Sequence, residues 1–207
     1  MFDFLFSQYK DYPTIDIVME LLGVALGFIS AWLSKRDNIW VYPVGMASTA
    51  IFVILLLKYN LLGEVIINSY YFIMSAYGWY VWTRKIDPEH YTVVTETARK
   101  QWLMALAIFL TSAIGVYLVY LAFEKFEGTV SYIDMFTTGI FFAGMWLMAR
   151  KKIEYWLVLL VGNIISVPLY FYKGLTFTSL SFIGLAAIAV MGYLAWKKIL
   201  NKPHLTV

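Results

Sequence analysis

Apolar positions fall into seven runs, each near the roughly 20 residues that a helix needs to cross a bilayer. Polar positions gather into the connections between them. The runs are Ile15–Ser34, Ile39–Leu57, Leu61–Trp82, Trp102–Phe123, Ile133–Ala149, Tyr155–Tyr172 and Leu175–Trp196. Most connections are very short. The longest, Thr83–Gln101, contains RKIDPEHYTVVTETARK and reads as a solvated loop with at most a helical turn. The opening stretch MFDFLFSQYKDYPTID has early acids, no basic start and no small-residue cleavage site. It reads as a short interfacial segment, not a signal peptide.

The same pattern repeats at an offset of 114 residues: Trp32 matches Trp146, Leu33 Leu147, Arg36 Arg150, Ile39 Ile153, Leu55 Leu169, Leu61 Leu175, Gly78 Gly192 and Trp82 Trp196, while Glu20 meets Asp134. An offset that skips four helices preserves orientation, so the repeats are parallel and helix four is a linker. The expected fold is an all-α integral membrane protein of seven transmembrane helices in a three-one-three arrangement. Its parts are an N-terminal segment (1–14), a first three-helix bundle (15–82), a loop with linker helix four (83–130), a second bundle (131–198) and a tail (199–207). Parallel repeats occur in transporters, with substrate near the midplane between the halves.

Composition agrees. Hydrophobic residues are 61% and charged residues 14% of the 207, and mean hydropathy is +0.71; globular chains are roughly a quarter charged. Twelve Lys and Arg fall on the side of the connections after helices one, three, five and seven, and four on the other. That bias puts the N-terminus outside and the C-terminus in the cytoplasm, in the inner membrane. The net charge of +3 is spread over helix ends, not one soluble face, so no nucleic-acid partner is expected. The chain has no cysteine, and its two histidines, His90 and His204, lie outside the apolar runs, which removes disulfides, thiolate chemistry and a histidine metal site in the bilayer. No phosphate loop, dinucleotide glycine pattern or nucleophile–base pair is present. No catalytic residue, metal or cofactor is expected, and the chain does not read as an enzyme.

Candidate chemistry lies inside the runs. Trp156, Asn163 and Tyr170 are seven apart, with Ser166 three after Asn163, and together they form one stripe of helix six. Pro168 removes a donor to the Ile164 carbonyl. The stripe faces protein or a cavity, and Asn163 is either a ligand contact or a bond to a neighbouring helix; such bonds average roughly 0.6 kcal/mol. In helix three Asn68 follows Glu64 by four, and Tyr71, Ser75 and Trp79 continue that face. Tyr77, Trp79, Tyr80 and Trp82 read mostly as belt residues at the membrane surface. Pro43 is either a helix start or a hinge, with Pro168 the second hinge candidate. Glu20, Glu64 and Asp134 are the acids a proton-coupled carrier would use. Lys35, Arg36, Arg150, Lys151 and Lys152 read as topology signals.

The stretches LMARKKIEYWLVLLVGNIISVPLYFYKG and YYFIMSAYGWYVW resemble the helix five–six and helix three signatures of the PnuC vitamin transporters, and the resemblance covers nearly the whole chain. It implies a SWEET-like three-one-three fold, a homotrimer, and facilitated diffusion of nicotinamide riboside drawn inward by a cytoplasmic kinase. It also implies that Trp156 and Asn163 hold substrate. Asn68 stands where many members have Gln, which leaves thiamine or riboflavin as alternatives. The expected site is therefore Asn68, Tyr71, Ser75, Trp156, Asn163, Ser166 and Tyr170.

Overall fold

The computed structural model describes residues 13–59, 62–84, 92–124, 126, 128–172 and 176–201. Most of the N-terminal segment, both histidines and the Leu61/Leu175 match lie outside the described residues. Among those described, each apolar run is one helix: α1 Thr14–Lys35, α2 Val41–Lys58, α3 Leu62–Thr83, α4 Arg99–Ala122, α5 Thr129–Ala149, α6 Tyr155–Tyr172 and α7 Thr176–Leu200. Six are long and apolar enough to cross a membrane. The other, α3, is as long as α1 at 22 residues but more polar, with Glu64, Asn68, two serines and four tyrosines. It packs between α2 and α5.

Neighbours in sequence pack within each half: α1 on α2 on α3, and α5 on α6 on α7. Two seams join the halves, α3 against α5 and α7 against α1, so six helices close a ring. Helix α4 lies along α5. That approach is close: a Cβ on Gly139 would stand 3.0 Å from the Phe109 carbonyl oxygen and 2.7 Å from its ring. Small residues let membrane helices approach in this way.

The α1–α2 and α5–α6 turns have one backbone design. Asp37 and Lys151 both occupy left-handed backbone, with φ of 54° and 56°. After α1, Asp37 N–H bonds the Ser34 carbonyl and Asn38 N–H bonds that of Leu33; after α5, Lys151 N–H bonds Met148 and Lys152 N–H bonds Leu147. Each is a Schellman ending, which satisfies the last carbonyls of its helix. The left-handed residues then meet each other, Lys151 Nζ to Asp37 Oδ1 at 2.9 Å. Burial nonetheless pushes the Asp37 carboxyl above its ordinary range, with the Lys151 charge opposing that rise.

The seams carry a reciprocal pair of bonds. Trp82 Nε1–H of α3 donates to the Met148 carbonyl of α5 at 3.2 Å. Trp196 Nε1–H of α7 donates to the Ser34 carbonyl of α1 at 2.9 Å. Both indoles are buried, so the belt reading fails for Trp82, although Trp79 and Tyr80 are exposed as expected.

The long connection also differs from its expected form. Residues 92–98 are not a solvated loop; they run as an extended strap over the α5–α6 turn. Thr95 N–H bonds the Lys151 carbonyl and Ile153 N–H bonds that of Thr95, each at 3.1 Å. Val94 is buried in the same core as Trp82, Leu147 and Ile153. Lys151 and Lys152 are therefore more than topology signals. Lys151 Nζ bonds the Thr92 carbonyl at 2.9 Å, and Lys152 Nζ bonds Thr95 Oγ1 at 2.7 Å.

Gly139→Ala should lower the thermal midpoint in detergent by an amount equivalent to about 1–3 kcal/mol, because the added methyl meets backbone that cannot yield. Gly115→Ala on α4, which has nothing within 4 Å, should be neutral or stabilising in the same assay.

Candidate functional site

Helix α6 begins where Glu154 leaves the α5–α6 turn and continues through Pro168 to Tyr172. Its apolar residues supply the span, and its polar stripe turns inward. Trp156, Asn163 and Ser166 each have 0% exposure. Gly162 brings α5 close beside the stripe, since a Cβ there would stand 2.7 Å from Phe141 and 3.0 Å from Ile140. On the other side Gly192 of α7 is the seat of the Trp156 ring; a Cβ at that position would lie 2.5 Å from the indole. Trp196 meets Trp156 edge-on at 5.6 Å, and Tyr155 at 4.7 Å completes the aromatic wall.

Four polar atoms on this stripe have no hydrogen-bond partner among the described residues: Trp156 Nε1, Asn163 Oδ1, Asn163 Nδ2 and Ser166 Oγ. Most hydroxyls elsewhere in the bundle behave differently, the buried Ser34 Oγ being an exception. Thr49, Thr111, Ser112 and Thr137 bond back to their own helices. Ser48 bonds the Gly23 carbonyl at 2.7 Å, Ser30 that of Val41, and Ser179 that of Val167. Ser48, Ser30 and Ser179 tie helices together; the polar atoms of Trp156, Asn163 and Ser166 bond none of the described groups. Leaving a buried donor or acceptor unpaired costs about 1–3 kcal/mol, so such groups suit a guest that brings its own partners.

The α3 candidates take different positions. Ser75 is buried, and its Oγ lies 3.6 Å from where a Cβ on Gly45 would stand. Tyr71 rests edge-on against Phe142 at 5.8 Å, and its hydroxyl is in electrostatic range of those of Tyr155 and Tyr170. On the α6 stripe the Tyr170 ring meets Phe182 of α7 at 5.0 Å. Asn68 folds its amide back, Nδ2 donating to the Glu64 carbonyl at 3.0 Å. Pro43 sits in the first turn of α2, and Pro168 lies exposed inside α6.

Two acids are held by partners. Asp134 accepts from the Tyr120 hydroxyl of α4 at 2.9 Å. Asp16, which sequence reasoning passed over, accepts from Lys58 at 2.6 Å and from the Tyr59 hydroxyl at 2.5 Å. Reading the sequence also missed Tyr155, Phe142 and the inward place of Trp82. The available signal was the run of aromatics beside a glycine 114 residues from its match, Tyr42 on Gly78 and Trp156 on Gly192. No group of three or more His, Cys, Asp or Glu among the described residues could hold a metal ion.

Comparison with known proteins places this geometry in context. The family described as Nicotinamide mononucleotide transporter matches residues 17–198. A curated relative, the riboflavin/roseoflavin transporter RibM of Streptomyces davaonensis, is 25% identical over 181 residues, covering 86% of this chain and 83% of its own. The nicotinamide riboside transporter PnuC of Escherichia coli is 22% identical over 203 residues, covering 86% and 84%. A crystal structure of a vitamin B3 transporter PnuC superposes with a TM-score of 0.67 at 19% identity, covering 90% of this chain and 83% of that one. The fold is thus that of a known transporter.

Asn163→Leu separates a guest-binding amide from a structural one. Removing two unpaired buried atoms should leave the ligand-free thermal midpoint unchanged or raised, by the equivalent of about 1–3 kcal/mol at most. A lowered midpoint would mean that Asn163 bonds a neighbouring helix.

Proposed function

This chain belongs to the nicotinamide mononucleotide transporter family, the PnuC family, and from that premise we propose that it carries nicotinamide riboside across the membrane by facilitated diffusion. The observation that carries this reading is the unpartnered stripe of Trp156, Asn163 and Ser166. Nicotinamide riboside is an aromatic cation with a carboxamide and ribose hydroxyls. An indole face attracts such a cation, by about 2 kcal/mol when water is excluded. The Asn163 amide offers a carbonyl acceptor and two N–H donors, and Ser166 a hydroxyl that does both. In this proposal Tyr170, Tyr71, Ser75 and Asn68 complete the wall, and Pro43 and Pro168 are points where the bundles bend.

The wider mechanism belongs to the same proposal. All seven helices cross the membrane, with the N-terminus outside and the C-terminus in the cytoplasm. The two three-helix bundles are parallel repeats that rock about the site. The recurrence of the Schellman turns and of the tryptophan–carbonyl bonds 114 residues apart, 34 and 148, 82 and 196, supports that symmetry. A cytoplasmic kinase that phosphorylates the riboside draws uptake inward, and the protein assembles as a homotrimer in the lipid bilayer. The family and its solved relative are transporters, which accords with transport of unaltered substrate.

A second reading, riboflavin, is favoured by the relative named for that vitamin. An uncharged flavin ring would use stacking on Trp156 and gain nothing from charge. Thiamine, an aromatic cation through its thiazolium, is a third candidate on the same groups. Proton coupling through Glu20, Glu64 or Asp134 is less well supported, because Asp134 already accepts a hydrogen bond from Tyr120.

Calorimetric titration of the purified protein with nicotinamide riboside, riboflavin and thiamine in parallel tests the substrate. Saturable binding of the riboside, lost in Trp156→Leu, is expected; binding of riboflavin alone would replace the proposal with the second reading. In liposomes, riboside uptake should persist when the proton gradient is collapsed, and the riboside should be recovered unaltered.

A further inference from the structure

At the basic end of the ring, where the 36–40 and 150–154 turns lie, buried aromatic rings fill the space between the halves. Trp82 and Trp196 meet at 5.9 Å where the halves join, and Tyr42 adds an edge contact to Trp82 at 5.0 Å. Trp196 in turn covers Trp156 of the candidate site. A guest on the α6 stripe therefore has these rings between it and the basic end. The rings are held by the reciprocal bonds to the Ser34 and Met148 carbonyls, and the Lys151–Asp37 pair joins the halves beside them. Lys151 also lies 4.4 Å from the centre of the Trp82 ring.

The strap ties both halves to this plug. Thr92 Oγ1 donates to the Val81 carbonyl of α3 at 2.7 Å, while Lys151 reaches the Thr92 carbonyl from the other half. Further along, Thr95 is bracketed by the Lys151 carbonyl and the Ile153 N–H in a parallel bridge to Lys152. Thr97 is gripped by Glu154, through N–H bonds of 3.0 Å and a hydroxyl bond of 2.5 Å. Val94 fills the space beneath.

We propose that the Trp82–Trp196 plug is the gate of the basic end and that the strap 92–98 is its latch, which must leave the α5–α6 turn for the gate to open. This rests on the transport reading for its function, not for its geometry. Opening separates α3 from α5 and α7 from α1, which strips both indole N–H groups of their carbonyls. The strap is bonded to α3 and to the α5–α6 turn at once, so it cannot keep both attachments while that seam parts.

Because the chain has no cysteine, a pair introduced at Thr95→Cys and Lys152→Cys tests the latch cleanly. Bridged residues on adjacent strands lie about 4.8 Å apart, within disulfide reach. Uptake of nicotinamide riboside, riboflavin and thiamine is measured in liposomes before and after oxidation. Oxidation should cut uptake of the carried vitamin by roughly tenfold or more, as for a transporter held at one conformational step, with recovery on reduction and with binding in detergent retained. Undiminished uptake by the oxidised protein would overturn the latch. Should the reduced pair fail to fold, Thr97→Cys with Glu154→Cys makes the same test. If the unmodified protein carries none of the three vitamins, the transport reading fails by itself. Hydrogen exchange then decides the latch: the Thr95 and Ile153 amides should exchange together and well ahead of those in the middle of α5. Equal protection of strap and α5 would overturn it.

Discussion

Two helix-end carbonyls, those of Ser34 and Met148, govern how the halves of this protein meet. A helix leaves its last carbonyls without partners inside the helix, and within a bilayer water does not make up the loss. The Schellman turns at Asp37 and Lys151 supply one backbone N–H to each carbonyl. The second lone pair takes an indole N–H from the opposite half, Trp82 or Trp196. These bonds lie at the two seams of the ring, α3 on α5 and α7 on α1. The seam geometry, the burial of both tryptophans and the contact between Asp37 and Lys151 all follow from satisfying the same two atoms.

Helix boundaries were largely legible because lipid imposes a simple rule on composition. The run Tyr155–Tyr172 became α6 without change, since charged residues stand just before it and the apolar run ends cleanly. Trp82 shows where that rule stops. A tryptophan near a helix end satisfies the belt pattern equally whether it faces lipid headgroups or a carbonyl on another helix. Only its match with Trp196 marked it, and that match does not reveal a direction. Lys151 and Lys152 were read only in part for a related reason. A basic cluster after a span always serves as a topology signal by composition, whereas a left-handed Lys151 bonded to Asp37 and Thr92 exists only once the strap and both turns are folded. The strap itself has few local cues, because an extended VVTET looks like any polar connection until Val94 finds its core.

The α6 stripe was legible as a pattern of spacing, but spacing alone left its purpose open between bonding a helix and bonding a guest. The bonding of the other buried hydroxyls, Ser34 excepted, favours the second. Thr49, Thr111, Ser112 and Thr137 sit in the same kind of helix and return their protons to their own backbones, while Asn163 and Ser166, more deeply buried than these, bond none of the described groups. Asn68 illustrates the opposite case: its amide is used by its own helix.

The helix-end turns and the tryptophan–carbonyl bonds recur in both halves, but the stripe does not. Gly78 receives Tyr42 as Gly192 receives Trp156, yet the positions that answer Asn163 and Ser166 in the first half are Thr49 and Phe52. Thr49 is bound to its own helix, and Phe52 has no polar group. On the proposed reading, recognition is concentrated in one bundle. In a carrier of this kind the cargo would travel as a passenger of the second bundle, keeping its contacts there while the first bundle slides past it. The two faces of the membrane would then present unequal binding sites, built from one fixed wall and one that is exchanged.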